Sequence, residues 1–231
     1  RYILQRINHK VFASPENLMK NIAAVTRHLR EKIILAGGDY TRETLNLIPT
    51  VEGGSFYKSP EGTYWRGYIF IEQAQTYEKV IDARHFYNAG RAFGNFQKML
   101  SDFPAHTLYE TIPDFHNTVK RYHDLLAAVE KDVANRARYV GEEIAFVKER
   151  KNEISLIVDL LKQRKIPLRV THNDTKFNNI MIDDRTGEGI CVIDLDTVMP
   201  GSSLYDFGDA IRFGAISALE DEKDLTKVWV R

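Results

Sequence analysis

The sequence predicts an α+β fold, with a small antiparallel sheet and one helix in residues 1–71 and a mainly helical stretch over residues 72–231. Three observations predict it. Tyr2–Ile7 and Tyr64–Ile71 are short segments rich in β-branched and aromatic residues. From about residue 77 onward, apolar side chains recur at the three- and four-residue spacing of helices. Two short apolar runs, Leu168-Arg169-Val170 and Ile190–Ile193, interrupt the helical part and flank a cluster of His, Asn and Asp side chains.

Tyr2-Ile3-Leu4-Gln5-Arg6-Ile7 alternates and is read as a strand. Ser14-Pro15 then opens a helix, with Ser as N-cap and Pro in the first turn. Leu18, Ile22, Val25 and Leu29 form its buried stripe, and Gly37-Gly38 ends it. Leu45–Thr50 is a second strand, and Gly53-Gly54 and Ser59-Pro60-Glu61-Gly62 are turns. Tyr64–Ile71 is the strongest strand signal. Phe86, Ala89, Phe93, Phe96 and Leu100 mark a helix, and Pro104 and Pro113 bracket an irregular segment. Val119, Tyr122, Leu126 and Val129 begin a long helix, a further helical stretch passes Phe146 and Val147, and Ile154, Ile157, Val158 and Leu161 mark another helix that ends before Pro167. Asp183–Gly187 is a turn ahead of the last apolar run.

The chain has 231 residues, enough for one large domain or two lobes. Lys plus Arg and Asp plus Glu both number 32, so the formal net charge is zero, and a nucleic-acid partner, which calls for a basic surplus, is not expected. No apolar run reaches the roughly 18 residues of a membrane span. The single cysteine, Cys191, falls in an apolar run and reads as a buried structural thiol, which fits a reducing cytoplasm. The sequence carries no signal for an oligomeric state. There is no Gly-x-Ser-x-Gly elbow and no His-Glu-x-x-His, so common hydrolase chemistries are not supported.

The chemistry concentrates in Val170–Met181 and Val192–Asp196. His172-Asn173-Asp174 is followed by Asn179 five residues after the Asp and by Asp194 twenty residues after it. Phosphoryl transfer from ATP needs such a set: one carboxylate to orient an acceptor hydroxyl and take its proton, and an Asn and an Asp to hold magnesium.

His172-Asn173-Asp174, Asn179 and Ile193-Asp194-Leu195-Asp196 resemble the aminoglycoside phosphotransferase-like branch of the protein-kinase-like fold. In that branch His-Gly-Asp is usual, so Asn173 stands where Gly is common. Wider phrases, Tyr2–Asn8, Thr111–His116, Thr171–Lys176 and Asp194–Gly201, resemble the N-acetylhexosamine 1-kinases. The resemblance implies a two-lobed fold with a small antiparallel-sheet N-lobe, truncated at its start and covering residues 1–71, and a mainly helical C-lobe over 72–231. It also implies ATP and Mg2+, a small-molecule sugar substrate phosphorylated at its anomeric hydroxyl, and a cytoplasmic enzyme. Kinases for another small alcohol (an aminoglycoside, choline or an amino acid) and a non-catalytic nucleotide-binding member are the alternatives.

The same resemblance assigns roles. Asp174 is the catalytic base, and Asn179 and Asp194 are the magnesium ligands. Asp196 is either a further ligand or an acceptor for the loop that follows. His172 supports the loop. Lys176 either meets the γ-phosphate or is a solvated lysine. Asp206-Phe207-Gly208 spells a protein-kinase metal motif, but it lies thirty-two residues after Asp174 and reads as a helix start, with Asp206 as a cap or a brace for the catalytic loop. No Lys lies in Tyr2–Ile7, so Arg6 or Gln5 would stand for the phosphate-binding lysine, with Arg6 preferred; Glu16 is either its ion-pair partner or, more plainly, an acidic residue favouring the helix amino end. Alternation lets only one of Arg6 and Gln5 face the cleft. Phe70-Ile71-Glu72 is the expected hinge against adenine. Asp114 and His116 either contact the sugar or shape a loop. A Gly-rich loop would precede Tyr2, so the numbering is expected to begin inside a longer protein and the carboxyl end to be incomplete.

Overall fold

The computed structural model describes residues 1–79, 83–218 and 222–230. The chain divides into two compact units: the first joins Arg1–Ile112 to Arg169–Arg231, and the second is Pro113–Leu168.

The first unit opens with strand β1 (Tyr2–Ile7), helix α1 (Pro15–Leu35) and the short helix α2 (Tyr40–Glu43). Strands β2 (Leu47–Ile48), β3 (Tyr57–Lys58) and β4 (Tyr64–Ile69) complete a four-stranded antiparallel sheet, in which β4 pairs with all three others. Alternation along β4 turns Tyr64, Arg66 and Tyr68 inward, and the register sets Gln5 opposite Arg66 and Ile7 opposite Tyr64. The stripe of α1 (Leu18, Met19, Ile22, Val25, Leu29, Ile33) is buried in the same core. The Ser14 side chain makes no capping bond. Its carbonyl accepts from Leu18 N–H instead, and Pro15, which has no N–H to satisfy, supplies the preset φ of the first turn. The strand expected over Leu45–Thr50 shortens to two residues, because Pro49 has no N–H to donate to a ladder.

Strand β5 (Ala74–Gln75) leads toward helix α3 (Ala83–Met99), which buries Ala89, Phe93 and Phe96. The amide of Asn21 on α1 is fully used within the core. It donates to Tyr109 and Val198 carbonyls and accepts from Tyr109 N–H. In the second unit, α4 (Thr118–Lys131), α5 (Gly141–Glu149) and α6 (Leu156–Lys162) follow the expected stripes, with Asn117 capping α4. Tyr122 and Val158 are its buried apolar side chains among the described residues.

Two strands were expected around the motifs, and four form: β6 (Arg169–Thr171), β7 (Ile180–Asp183), β8 (Gly189–Val192) and β9 (Met199–Gly201). The two expected ones belong to different sheets: β6 pairs with β9, and β8 pairs with β7, which in turn pairs with β5. Helix α7 (Ser203–Ala215) follows β9 and is capped by Ser202, whose hydroxyl accepts from Leu204 N–H. No helix among the described residues is long and apolar enough to cross a membrane.

Candidate active site

Strand β6 ends at Thr171 and hands the chain to a loop, His172–Lys176, that is fixed almost atom by atom. Asp206, in the first turn of α7, accepts from His172 N–H (2.9 Å), Asn173 N–H (2.8 Å) and the Gln97 amide (2.9 Å). One turn later Asp209 accepts from Thr175 N–H at 2.8 Å, while Arg212 holds its other oxygen. Residues three apart share a helix face, so both carboxylates of α7 meet one loop. Asp206 is therefore a brace for the loop and not the cap of α7, which is Ser202.

His172 is fully buried, edge-on to Phe93 and Phe96. Its Nδ1 accepts from Asp174 N–H, which leaves Nε2 to donate to the Ile193 carbonyl at 2.8 Å and so fixes the tautomer. Asn173 has φ +67°, a left-handed conformation that Gly adopts freely and Asn tolerates. The Asn side chain adds what Gly could not, donating to the Thr197 carbonyl at 2.7 Å.

This scaffold presents Asp174. Asn179 donates to its carboxylate at 3.0 Å and to its carbonyl at 2.8 Å. Lys176 lies 3.3 Å from the other carboxylate oxygen, so it is an ion-paired and half-buried lysine. The Asn179 carbonyl accepts from Ile193 N–H at 2.9 Å, which ties Asn179 to the residue before Asp194. Asp194 is itself left-handed, with φ +56°. Burial pushes its carboxyl above the usual range, and the neighbouring charges of Asp196 and Asp174 push the same way, against His172 and Arg66.

Asp196 pairs with Arg66 at 2.5 Å. Gln5 accepts from Arg66 Nε at 3.0 Å and Nη2 at 2.8 Å. Gln5, Arg66, Phe70, Ile71, Asn179 and Asp194 line one cavity of about 330 Å³. Arg6 is exposed and lies on the other sheet face, outside this lining. Glu16 accepts from the Tyr64 hydroxyl at 2.7 Å and lies 3.9 Å from Lys58. Glu72 is also outside the lining and lies 3.5 Å from Arg1. In the second unit, Asp114 has φ +60° and accepts from the Asn117 amide, a local loop arrangement. Cys191 is fully buried and its thiol is pushed up by burial, as befits a structural residue.

Sequence reasoning missed Arg66 and Asp209. Arg66 had a signal: it is in phase with Tyr64 and Tyr68, a cation on the apolar side of an aromatic strand. Asp209 had the three-residue offset from Asp206 on a predicted helix.

Among the described residues, no group of three or more His, Cys, Asp or Glu side chains could hold a metal ion alone. The donors that could share one with a ligand are the Asn179 amide oxygen and the Asp194 carboxylate. Their chemistry fits a hard divalent cation, which keeps several non-protein oxygens in its shell. The upward shift of Asp194 fits it too, because a carboxylate crowded by others gains from a cation.

A family model described as the phosphotransferase enzyme family matches residues 1–224. Solved structures with a similar fold include an amicoumacin kinase in complex with AMP-PNP, Ca2+ and Ami, with TM-score 0.55, 14% identity and coverage of 92% of this chain and 57% of that one. An aminoglycoside phosphotransferase from Alicyclobacillus acidocaldarius matches with TM-score 0.57 and 11% identity, over 92% of this chain and 61% of that one. The aminoglycoside phosphotransferase APH(3'')-Id from Streptomyces rimosus, in complex with ADP and streptomycin, matches with TM-score 0.53 and 14% identity, over 96% and 74%. The chain thus spans less than two thirds of the length of the first two. At these identities the likeness speaks for the fold, which is the kinase-like fold expected from the motifs.

Proposed function

The chain belongs to the phosphotransferase enzyme family, and we propose that it transfers the γ-phosphoryl group of ATP to a small-molecule alcohol, with the anomeric hydroxyl of an N-acetylhexosamine as acceptor. One observation carries the reading: Asp174, Asn179 and Asp194 converge through the Asn179–Asp174 bonds and the Ile193–Asn179 bond. The sugar assignment is supported by the wider phrases Tyr2–Asn8, Thr111–His116, Thr171–Lys176 and Asp194–Gly201.

In this reading residues 1–71 form a nucleotide-binding lobe and residues 72–231 the catalytic part. Adenine lies against Phe70 and Ile71, which line the cavity. Asp174 orients the acceptor hydroxyl in line with the phosphorus and takes its proton late, since the transition state is loose. The transferred group ends on the acceptor oxygen and ADP leaves. Asn179 and Asp194 would hold Mg2+, with Asp196 two residues away. When bound, the cation supplies charge neutralisation at the phosphate oxygens. Lys176, beside Asp174, adds positive charge where the γ-phosphate reacts. His172 and Asp206 keep the loop in register. A cytoplasmic setting accords with the single buried thiol.

The test is magnesium-dependent ADP release by the full-length protein over GlcNAc, GalNAc, glucose, choline and kanamycin, with Asp174→Asn as control. Turnover with N-acetylhexosamines that vanishes in Asp174→Asn supports the proposal, and product NMR then places the phosphate. Turnover only with a cationic acceptor sinks the sugar assignment and keeps the kinase. ATP binding without turnover on any acceptor moves the weight to a non-catalytic member.

A further inference from the structure

The loop side of the cavity carries carboxylates: Asp194 lines it, Asp196 lies two residues on, and Asp174 is bonded to the lining Asn179. A nucleotide carrying several negative charges needs a cation on the opposite wall. Strand β1 has no lysine, and its one cation, Arg6, faces away from the cavity. We propose that Arg66, on the central strand β4, is the group that meets the phosphates of the nucleotide, with Gln5 as its positioning residue. This rests on the kinase reading above.

Four observations carry it. Arg66 is 3% exposed in the middle of a sheet, where an uncompensated charge is costly and an arginine is seldom found without a purpose. Its partner across the β1–β4 register is Gln5, which takes two of its hydrogen bonds at 3.0 and 2.8 Å. A neutral amide orients the guanidinium and adds no second counter-charge to that of Asp196, as a glutamate in that place would do. The counter-charge is Asp196, two residues beyond the lining Asp194, so the guanidinium already reaches an anion of the segment that carries Asp194. Finally, Tyr68 lines the same cavity, and its hydroxyl is buried without a hydrogen-bond partner among the described residues. A buried orphan hydroxyl next to a lining arginine is the polar surface a phosphate or ribose oxygen would satisfy. Arginine suits the task because its planar fork donates to two oxygens at once.

The experiment is a ligand ladder: equilibrium binding of adenosine, AMP, ADP and ATP to the full-length protein in EDTA and in Mg2+. It compares the wild type with Arg66→Lys, Arg66→Met and Arg6→Met, each checked by thermal melting. Arg66→Met should bind adenosine within about twofold of wild type and ADP at least roughly tenfold more weakly, with Arg66→Lys between them. Should Arg66→Met not fold, Arg66→Lys retains the charge, loses the fork and carries the same comparison. Equal weakening toward adenosine and ADP would make Arg66 a structural residue and overturn the assignment. So would an unchanged ladder, or a phosphate-dependent loss confined to Arg6→Met. Wild-type protein that binds no adenine compound at all would instead remove the kinase reading, a result visible before any variant is measured.

Discussion

The two walls of the candidate site, which share the cavity lining through Asn179 on one side and Gln5 and Arg66 on the other, are built by opposite means. The loop wall, His172–Asn179, is held by main-chain hydrogen bonds to carboxylates on α7, with both Asp206 oxygens spent on successive N–H groups. Its geometry is set by the backbone, and Asp174 is presented as a consequence. The sheet wall holds its charge through side chains alone: Arg66 to Gln5 and Asp196. Main-chain bonds fix position rigidly, whereas side-chain ion pairs can trade one anion for another. The difference teaches which wall is suited to place reacting atoms and which to receive a charged ligand. A second pair sharpens the contrast. Asp183 also pairs with an arginine, Arg42 at 2.9 Å, but it accepts from Arg185 and Thr186 N–H as well. Arg42 in turn donates to the Glu72 and Gln73 carbonyls. That pair is a brace for the segment after β4, with no free role at the cavity.

The comparison can be broken at several points, the largest effect first. Asp174→Asn keeps the loop bonds and removes the base, so kcat should fall by roughly 10²- to 10⁴-fold while nucleotide affinity holds, as steady-state kinetics beside a binding titration would show. Asp206→Ala strips two buried N–H groups and an amide of their acceptor. It should cost about 3 kcal/mol in a denaturant melt and lower kcat as well, because the loop and not the ligand set is damaged. At Asn173, a β-branched residue is strained at positive φ whereas Gly is not. Asn173→Val should lose roughly 1–2 kcal/mol more stability than Asn173→Gly, since both lose the side-chain bond to Thr197 and only Val is strained at this φ, and equal losses would remove backbone strain from the account.

The smallest effect concerns pH. The N–H groups of Thr186 first, then Arg42 and the N–H of Arg185, hold the Asp183 carboxyl well below its usual range. A depressed carboxyl contributes stability that is present above the unfolded value, near pH 4, and is lost as pH falls through the folded one. The difference in Tm between wild type and Asp183→Asn should therefore stay constant from pH 8 to about pH 5 and shrink below about pH 4. A difference that vanishes already near neutrality would remove the brace from the account.

The two walls also differed in how far the sequence disclosed them. The loop wall is local: His172, Asp174 and Asn179 fall within one short segment, and Asp194 follows at a spacing that chemistry constrains. The long stripes of α1 and α3 were readable for the same reason, repeated local periodicity. The pairing of β6 with β9 joins Thr171 to Met199, and no local pattern announces a three-residue ladder between distant segments. The sequence leaves Asp206 as either a cap or a brace, and the choice between them depends on where α7 folds back. Arg66 was hidden because it reads as one polar residue in an aromatic strand. Its meaning comes from Gln5, sixty-one positions away in sequence, and from Asp196 still farther along. Tertiary contacts of that separation are set by the packed core and not by neighbouring residues.

The central claim is that these walls meet around a phosphoryl-transfer site. Acceptor-stimulated ADP release in Mg2+ by the wild-type full-length protein, measured against Asp174→Asn at matched ATP saturation, tests it most directly. The account predicts a rate at least about a hundredfold lower in the variant, with ATP still bound. Equal rates in the two proteins would contradict it.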